Sequence, residues 1–215
     1  MKPTRILVAD DHELLRRGLA NLLDEVPGWS VVAQADNGRQ AVELSQTLQP
    51  DVVILDLTMP ELNGLDATRQ IIASRLGARV LVLTAHESEQ LVREVLTAGA
   101  QGYVLKSDAG SVLISAVEAL VDGRPFFTSR VARIVLDGFL RNQPGEDALA
   151  GGLSPREREI VQLLAEGKSN KEVARTLGIT VKTAETHRSN IMRKMQFESL
   201  SDLVRYAIRN NIVRA

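Results

Sequence analysis

Three aspartates carry the first chemistry this sequence offers. Asp10 and Asp11 follow the apolar run Arg5–Ala9, and Asp56 follows Val52–Leu55. If the two runs are neighbouring strands of a parallel sheet, their carboxyl ends bring three carboxylates into one pocket. Three like charges at close range are costly unless a cation binds among them. A hard site of oxygen ligands with room for water suits Mg²⁺. Two further runs, Val80–Leu83 and Gly102–Leu105, are followed by Thr84 and Lys106. Acids, a hydroxyl and an ammonium around one pocket are the parts of a phosphoryl-transfer site: Mg²⁺ and Lys106 neutralise phosphoryl oxygens, and a carboxylate can be the nucleophile. Each part alone has a plainer reading, since Asp-Asp after a strand is an ordinary helix N-cap and a loop lysine is ordinarily solvated. Their recurrence at successive strand ends points to chemistry.

The elements that must position these residues are legible as a pattern. Together with Val31–Ala35, the four runs make five short strands, near-continuously apolar and rich in β-branched residues. That composition fits strands buried on both faces of a parallel sheet. Helical patterns lie between and after them, at about 13–25, 39–48, 65–75, 88–98 and 110–121. The first carries Leu14, Leu15, Leu19, Leu22 and Leu23 as an apolar face. Five βα units predict an α/β fold, a doubly wound five-stranded parallel sheet with its site at the carboxyl ends of the strands. We assign this domain to residues 1–122.

Residues 123–152 read as a linker with one helix expected at about 129–140, followed by a polar stretch rich in Gly and Pro. The tail, 153–215, holds only helical patterns, at about 155–166, 170–177, 181–195 and 199–210. Ser154, Pro155 and Glu157 make a capping-box start for the first of them.

The chain has 215 residues, 44% hydrophobic and 25% charged, which excludes a disordered or fibrous protein. It has no cysteine, so no disulfide framework and no thiolate site, in keeping with a cytoplasmic location. No run approaches the roughly 18 apolar residues of a membrane span, so no membrane association is expected. The net charge of -1 hides a split: -7 over 1–122, +1 over 123–150 and +5 over 151–215. A basic tail behind an acidic front admits nucleic acid as a partner of the tail.

Val8-Ala-Asp-Asp-His12, Ile54-Leu-Asp-Leu-Thr-Met-Pro60, Leu83-Thr-Ala85 and Gly102-Tyr-Val-Leu-Lys106 resemble the receiver domain of bacterial two-component response regulators, over about residues 4–122. The resemblance implies a flavodoxin-like fold in which Asp56 accepts a phosphoryl group from a histidine kinase. It further implies that Asp11 and Asp56 ligate Mg²⁺, that Asp10 acts largely through water and that the backbone carbonyl of Thr58 is another ligand. Lys106 would contact the phosphoryl oxygens, Thr84 would turn to hydrogen-bond them, and Tyr103 would repack with Thr84. Pro60 and Gly64 match the family's loop after the phosphorylation site. His12 is read as a helix start and His86 as an exposed loop residue.

In the tail, Ser169–Gly178 and the run from Ile179 through Arg188 read as helix, tight turn, helix, with Thr180 capping the second helix. On that helix Val181, Ala184, Ile191 and Met195 are expected to be buried. Lys182, Glu185, Thr186, Ser189 and Arg193 form a polar stripe that can enter a major groove. Leu153-Ser-Pro-Arg-Glu-Arg-Glu-Ile160, Glu166–Ala174 and Val181–Ile191 look like the LuxR-type helix-turn-helix. Joined to a receiver, this resembles the NarL/FixJ family of response regulators. The resemblance implies a four-helix module with 181–195 as recognition helix, binding double-stranded promoter DNA as a dimer. Lys182, Thr183 and His187 would mostly meet phosphate, and Glu185, Thr186 and Ser189 would face bases. It also implies receiver pairing through the first and fifth helices; the fifth carries Val112, Leu113, Ile114, Val117, Leu120 and Val121, more apolar residues than one buried stripe needs.

The reading is a cytoplasmic bacterial transcription regulator, homodimeric on phosphorylation, and no enzyme with catalytic residues of its own. The enzyme alternative, an aspartate-nucleophile phosphohydrolase, wants a general acid two residues after the nucleophile, where this chain has Thr58.

Overall fold

The structure is a computed structural model and describes residues 2–85, 88–133 and 152–213. The chain divides into two compact units, Met1–Asn142 and Gln143–Ala215.

In the first unit β1 (Thr4–Ala9), β2 (Trp29–Ala35), β3 (Val52–Leu55), β4 (Arg79–Thr84), β5 (Gly102–Leu105) and β6 (Phe126–Phe127) form one sheet in the order β2-β1-β3-β4-β5-β6. All pairings are parallel. The helices α1 (Glu13–Asp24), α2 (Gly38–Leu48), α3 (Gly64–Ala73), α4 (Glu89–Thr97) and α5 (Ala109–Val121) are the crossovers. The strand pleat sorts side chains into two cores. Leu7, Ala9, Val53, Leu55, Val80, Val82, Tyr103 and Leu105 pack with residues of α2, α3 and α4. Ile6, Val8, Val52, Ile54, Leu81, Leu83 and Val104 pack with residues of α1 and α5. Both strand faces are buried, which is why these runs are apolar throughout rather than alternating.

The five expected strands and five expected helices are present, with ends shifted by two residues at most. The sheet has a sixth strand, however. Phe126 and Phe127 pair with Gly102 and Tyr103 in the stretch assigned to the linker, and the Phe126 N–H donates to the Gln101 carbonyl at 3.0 Å. A two-residue strand leaves no period to read in a sequence. Of the helix expected at 129–140, residues 129–133 are helical; the rest lies outside the described residues, as does His86.

One apolar expectation needs correction. Leu14 was placed on the buried face of α1 but is 88% exposed, while Leu19 and Leu23 are buried and Leu15 and Leu22 partly so. It stands about 100° round the helix from Leu15, off the face that meets the sheet. On α5, Leu113, Val117 and Leu120 are buried, Val112 is partly so, and Val121 is exposed.

Among the described residues the second unit holds helices and no strand: α6 (Pro155–Ala165), α7 (Asn170–Leu177), α8 (Val181–Lys194) and α9 (Leu200–Arg209). Ile160, Val161, Leu164, Val173, Ala184, Ile191 and Leu203 are in its core. Three helices open with capping boxes: Ser154 with Glu157, Ser169 with Glu172, and Ser199 with Asp202. In each, the serine side chain accepts from the third residue's N–H, and that residue's carboxylate accepts from the serine N–H. Gly178, at φ 64°, closes α7 in the left-handed conformation. No Cβ is there to oppose that backbone, and the chain turns at once into α8.

The caps make this unit sensitive to acid. A hydrogen bond from Lys194 lowers the Glu157 pKa from its ordinary 4.5, aided by Ser154. The Ser169 hydroxyl lowers that of Glu172, and the Ser199 hydroxyl, with Arg205, that of Asp202. Carboxylates with depressed folded pKa values contribute stability above their unfolded pKa and lose it as pH falls through the folded value. The gap in melting temperature between the native chain and a Ser169→Ala variant should therefore be widest near neutral pH. It should close as pH drops from about 5 towards 3. Circular-dichroism melts across that range check this, and a gap independent of pH would contradict it.

Candidate functional site

Strand β1 lies between β2 and β3, so the chain departs in opposite directions from β1 and β3. A crevice opens at their carboxyl ends. The hydrogen-bond ladders continue one residue past the strands: Asp10 N–H donates to the Ala35 carbonyl (3.1 Å), Asp56 N–H to that of Ala9 (2.8 Å) and Lys106 N–H to that of Thr84 (2.8 Å). The backbone of each key residue is thereby held by its neighbouring strand.

Asp10 and Asp56 are each 1% exposed. Between them sits the Lys106 ammonium, 2.8 Å from Asp10 Oδ2 and 3.0 Å from Asp56 Oδ2. Thr58 Oγ1 donates to Asp56 Oδ2 at 3.2 Å. Asp56 Oδ1 is buried with no hydrogen-bond partner. Ligand atoms of Asp10, Asp11, His12 and Asp56 all lie within 4.8 Å of one another. Three carboxylates and one ammonium leave a formal charge of about -2, with Asp10 and Asp56 buried and Asp11 at the exposed rim. A divalent cation offsets that charge and gives the orphaned Asp56 Oδ1 a partner. The residues therefore fit Mg²⁺ held by carboxylate oxygens.

The structure thus brings Asp10, Asp11, Asp56, Thr58 and Lys106 together. Thr84 closes β4 beside them and is fully buried. Tyr103 is fully buried in the core layer under α4, opposite Val82.

His12 has a larger place here than the sequence suggested. It is the N-cap of α1, as expected, but its side chain makes no capping bond. Its N–H donates to Asp10 Oδ1 at 2.9 Å, and its Nδ1 lies 3.1 Å from the same atom and 2.8 Å from Asp11 Oδ1. A ring nitrogen between two carboxylate oxygens is satisfied only as a donor. The available signal was the unbroken Asp-Asp-His triplet at a strand end.

Gly64 shapes the floor of the site. A Cβ there would lie 1.9 Å from the Asp56 carbonyl oxygen and 2.9 Å from the Leu57 Cα. The Gly64 N–H donates to the Leu57 carbonyl at 2.9 Å, and Asn63 caps α3 by accepting from the Asp66 N–H. Glycine lets the α3 start press against the chain that presents Asp56.

In the second unit, α8 buries Ala184 and Ile191 and packs Met195 against the same core. Lys182, Thr183, Glu185, Thr186, Ser189 and Arg193 are exposed, and His187 is half-buried. Val181 was expected to be buried but is 42% exposed. It opens the helix and stands about 80° round from Ile191, beyond the strip that its neighbours cover. Thr180 caps α8 by accepting from the Thr183 N–H at 3.1 Å.

Residues 6–118 match the response regulator receiver domain, and residues 152–207 match the luxR family of bacterial regulatory proteins. Transcriptional regulatory protein LiaR of Bacillus subtilis (strain 168) is 40% identical over 210 residues, covering 97% of this chain and 99% of that protein. The nitrate/nitrite response regulator protein NarL of Escherichia coli (strain K12) is 34% identical over 198 residues, covering 92% of each. A solved structure of two RcsB dimers bound to two parallel DNAs superposes with a TM-score of 0.58 at 26% identity, covering 95% of this chain and 97% of that one.

Proposed function

This chain belongs to the NarL/FixJ response regulators, a receiver followed by a LuxR-type helix-turn-helix, and from that premise we propose that Asp56 is its phosphoryl acceptor and α8 its DNA-reading helix. It is a phosphorylation-dependent DNA-binding transcriptional regulator of a two-component system, not a turnover enzyme. The observation that carries the acceptor assignment is the buried Asp56 carboxylate, with Lys106 on one oxygen and no hydrogen-bond partner on the other.

In the proposed reaction a histidine kinase presents a phosphohistidine. An Asp56 oxygen bonds to phosphorus as the bond from phosphorus to the histidine nitrogen breaks, and the kinase imidazole leaves. Lys106, already between Asp10 and Asp56, meets the charge arriving on the phosphoryl oxygens. Thr84, at the end of β4, offers its hydroxyl to them. Asp11, Asp56 and the Thr58 carbonyl, with Asp10 through water, would hold Mg²⁺, which would supply electrostatic stabilisation when bound. Thr84 and Tyr103, on neighbouring strands, are the pair through which the new charge biases a two-state receiver. Removing Asp11 takes one charge from a like-charged cluster, so Asp11→Ala should weaken Mg²⁺ binding about tenfold or more without lowering the metal-free melting temperature. Mg²⁺ titration and a melt in chelator check both, and a large metal-free loss of stability would contradict the assignment.

We assign 1–122, extended by the paired strand Phe126–Phe127, to the receiver, the rest of the stretch up to 152 to the linker, and 153–215 to the DNA-binding domain. Homodimerisation is proposed for the phosphorylated receiver, through α1 and α5, whose exposed Leu14 and Val121 are apolar groups free to be covered. On α8, Lys182, Thr183, His187 and Arg193 are proposed to meet phosphate, and Glu185, Thr186 and Ser189 to face bases. The +5 charge of residues 151–215 supports this part of the reading. Each phosphate neutralised contributes about 0.9 to the log–log salt slope. Lys182→Ala should weaken binding to promoter and scrambled DNA alike and lower that slope by about 1. Titrations of the phosphorylated full chain at several salt concentrations test this; unchanged affinity on both DNAs would remove α8 from the interface.

A further inference from the structure

We propose that α8 reads thymine C5-methyl groups, through the γ-methyl of Thr186 and the side chain of Val181. The inference rests on α8 being the DNA-reading helix and names the feature of DNA that two of its residues recognise.

Thr186 is exposed, yet its hydroxyl is already committed: Oγ1 donates to the Lys182 carbonyl one turn back, at 2.9 Å. In this conformation its one proton lies inside the helix, and the side chain presents no donor to a base acceptor such as guanine O6 or N7. What it retains for a partner is a methyl group and an acceptor lone pair. Val181 has no polar group at all and is 42% exposed at the first position of α8. A β-branched residue at an exposed helical position contributes less to helix stability than Ala, and burial does not account for it here. Lys182, Glu185 and Ser189 beside them supply the charge and the hydrogen-bonding groups of the same surface.

The major-groove base edges carry one apolar group, the C5-methyl of thymine. A valine side chain and a threonine methyl on a helix entering that groove match it. The two residues are five positions apart, roughly 7.5 Å along the helix axis, so they meet different base pairs.

The test begins with the full-length phosphorylated protein and a random duplex library. Enriched sequences are resynthesised with uracil in place of each thymine in turn, which removes only the methyl group. The native chain should bind about three- to tenfold more weakly at one or two uracil positions, the worth of a buried methyl. Thr186→Ser, which keeps the hydroxyl and drops the methyl, should lose that sensitivity at one position. Thr186→Val, which drops the hydroxyl and keeps a methyl, should retain it. Val181→Ala should lose it at a different position. Uracil sensitivity nowhere in the native chain would overturn the proposal, as would a Thr186→Val variant that loses discrimination while Thr186→Ser keeps it. Lys182→Ala separates contact with DNA from recognition of methyl groups. If it weakens all binding while uracil has no effect, α8 faces DNA but does not read methyl groups; if it changes nothing, the placement of α8 on DNA has failed first.

Discussion

Asp56→Asn should abolish covalent labelling by a small phosphodonor such as acetyl phosphate, lowering the rate by about a thousandfold or more. The amide has no anionic oxygen to attack phosphorus, and no neighbouring group stands in the same geometry. Asp10, the other buried carboxylate of the site, has Lys106 on one oxygen and the His12 N–H on the other. Chelating Mg²⁺ should have an effect of the same kind, because the charge of about -2 would then face an anionic phosphoryl group unopposed. The folded state should not suffer: the substitution removes one of three crowded negative charges, so the metal-free melting temperature should hold or rise. Labelling of Asp56→Asn at the native rate, read by intact-protein mass, would place the acceptor elsewhere.

Gly64→Ala should be among the most damaging single-methyl changes in the receiver, and the one that strikes the acceptor's own segment. The added Cβ meets the Asp56 carbonyl oxygen at 1.9 Å, a backbone atom that no rotamer change can move. Either α3 backs away and loses the Gly64 N–H bond to Leu57, or the segment carrying Asp56 and Thr58 shifts. Overpacking of this kind costs about 3 kcal/mol or more, which lowers the melting temperature of a unit this size by roughly 10 °C. Because the clash lies on the acceptor's own residue, the surviving folded fraction should also label more slowly. Gly110, where a Cβ would meet nothing within 4 Å, is the control: Gly110→Ala should leave both readouts near native. Equal behaviour of the two variants would show that α3 adapts more readily than the packing implies.

Much of this protein was determined by its sequence alone. The apolar runs at 5–9, 31–35, 52–55, 80–83 and 102–105 have one physical solution, strands buried on both faces, and helical patterns between them force a parallel sheet. Once the sheet is parallel, residues directly after strands share one edge. Asp10, Asp56, Thr84 and Lys106 were therefore findable from position and chemical type. The capping box at Ser154 and the glycine turn at 178 are local and were equally legible.

Only the tertiary structure decided what depends on a neighbour. Helical period gives the angle of a side chain around its axis but not how far the adjoining element extends. That is why Leu14 and Val181 are exposed at the first turns of α1 and α8, although their residue types suit a core. It is also why Phe126–Phe127 could join the sheet without any strand pattern: the partner edge at Gly102 and Tyr103 supplies the order. Polar side chains choose among partners only in the folded state. His12 turned from capping α1 to the two carboxylates beside it, and Thr186 turned its hydroxyl back on its own helix. The sequence supplies each group's capacity to donate and accept, and packing decides which of those capacities is left over for Mg²⁺, a phosphoryl group or DNA.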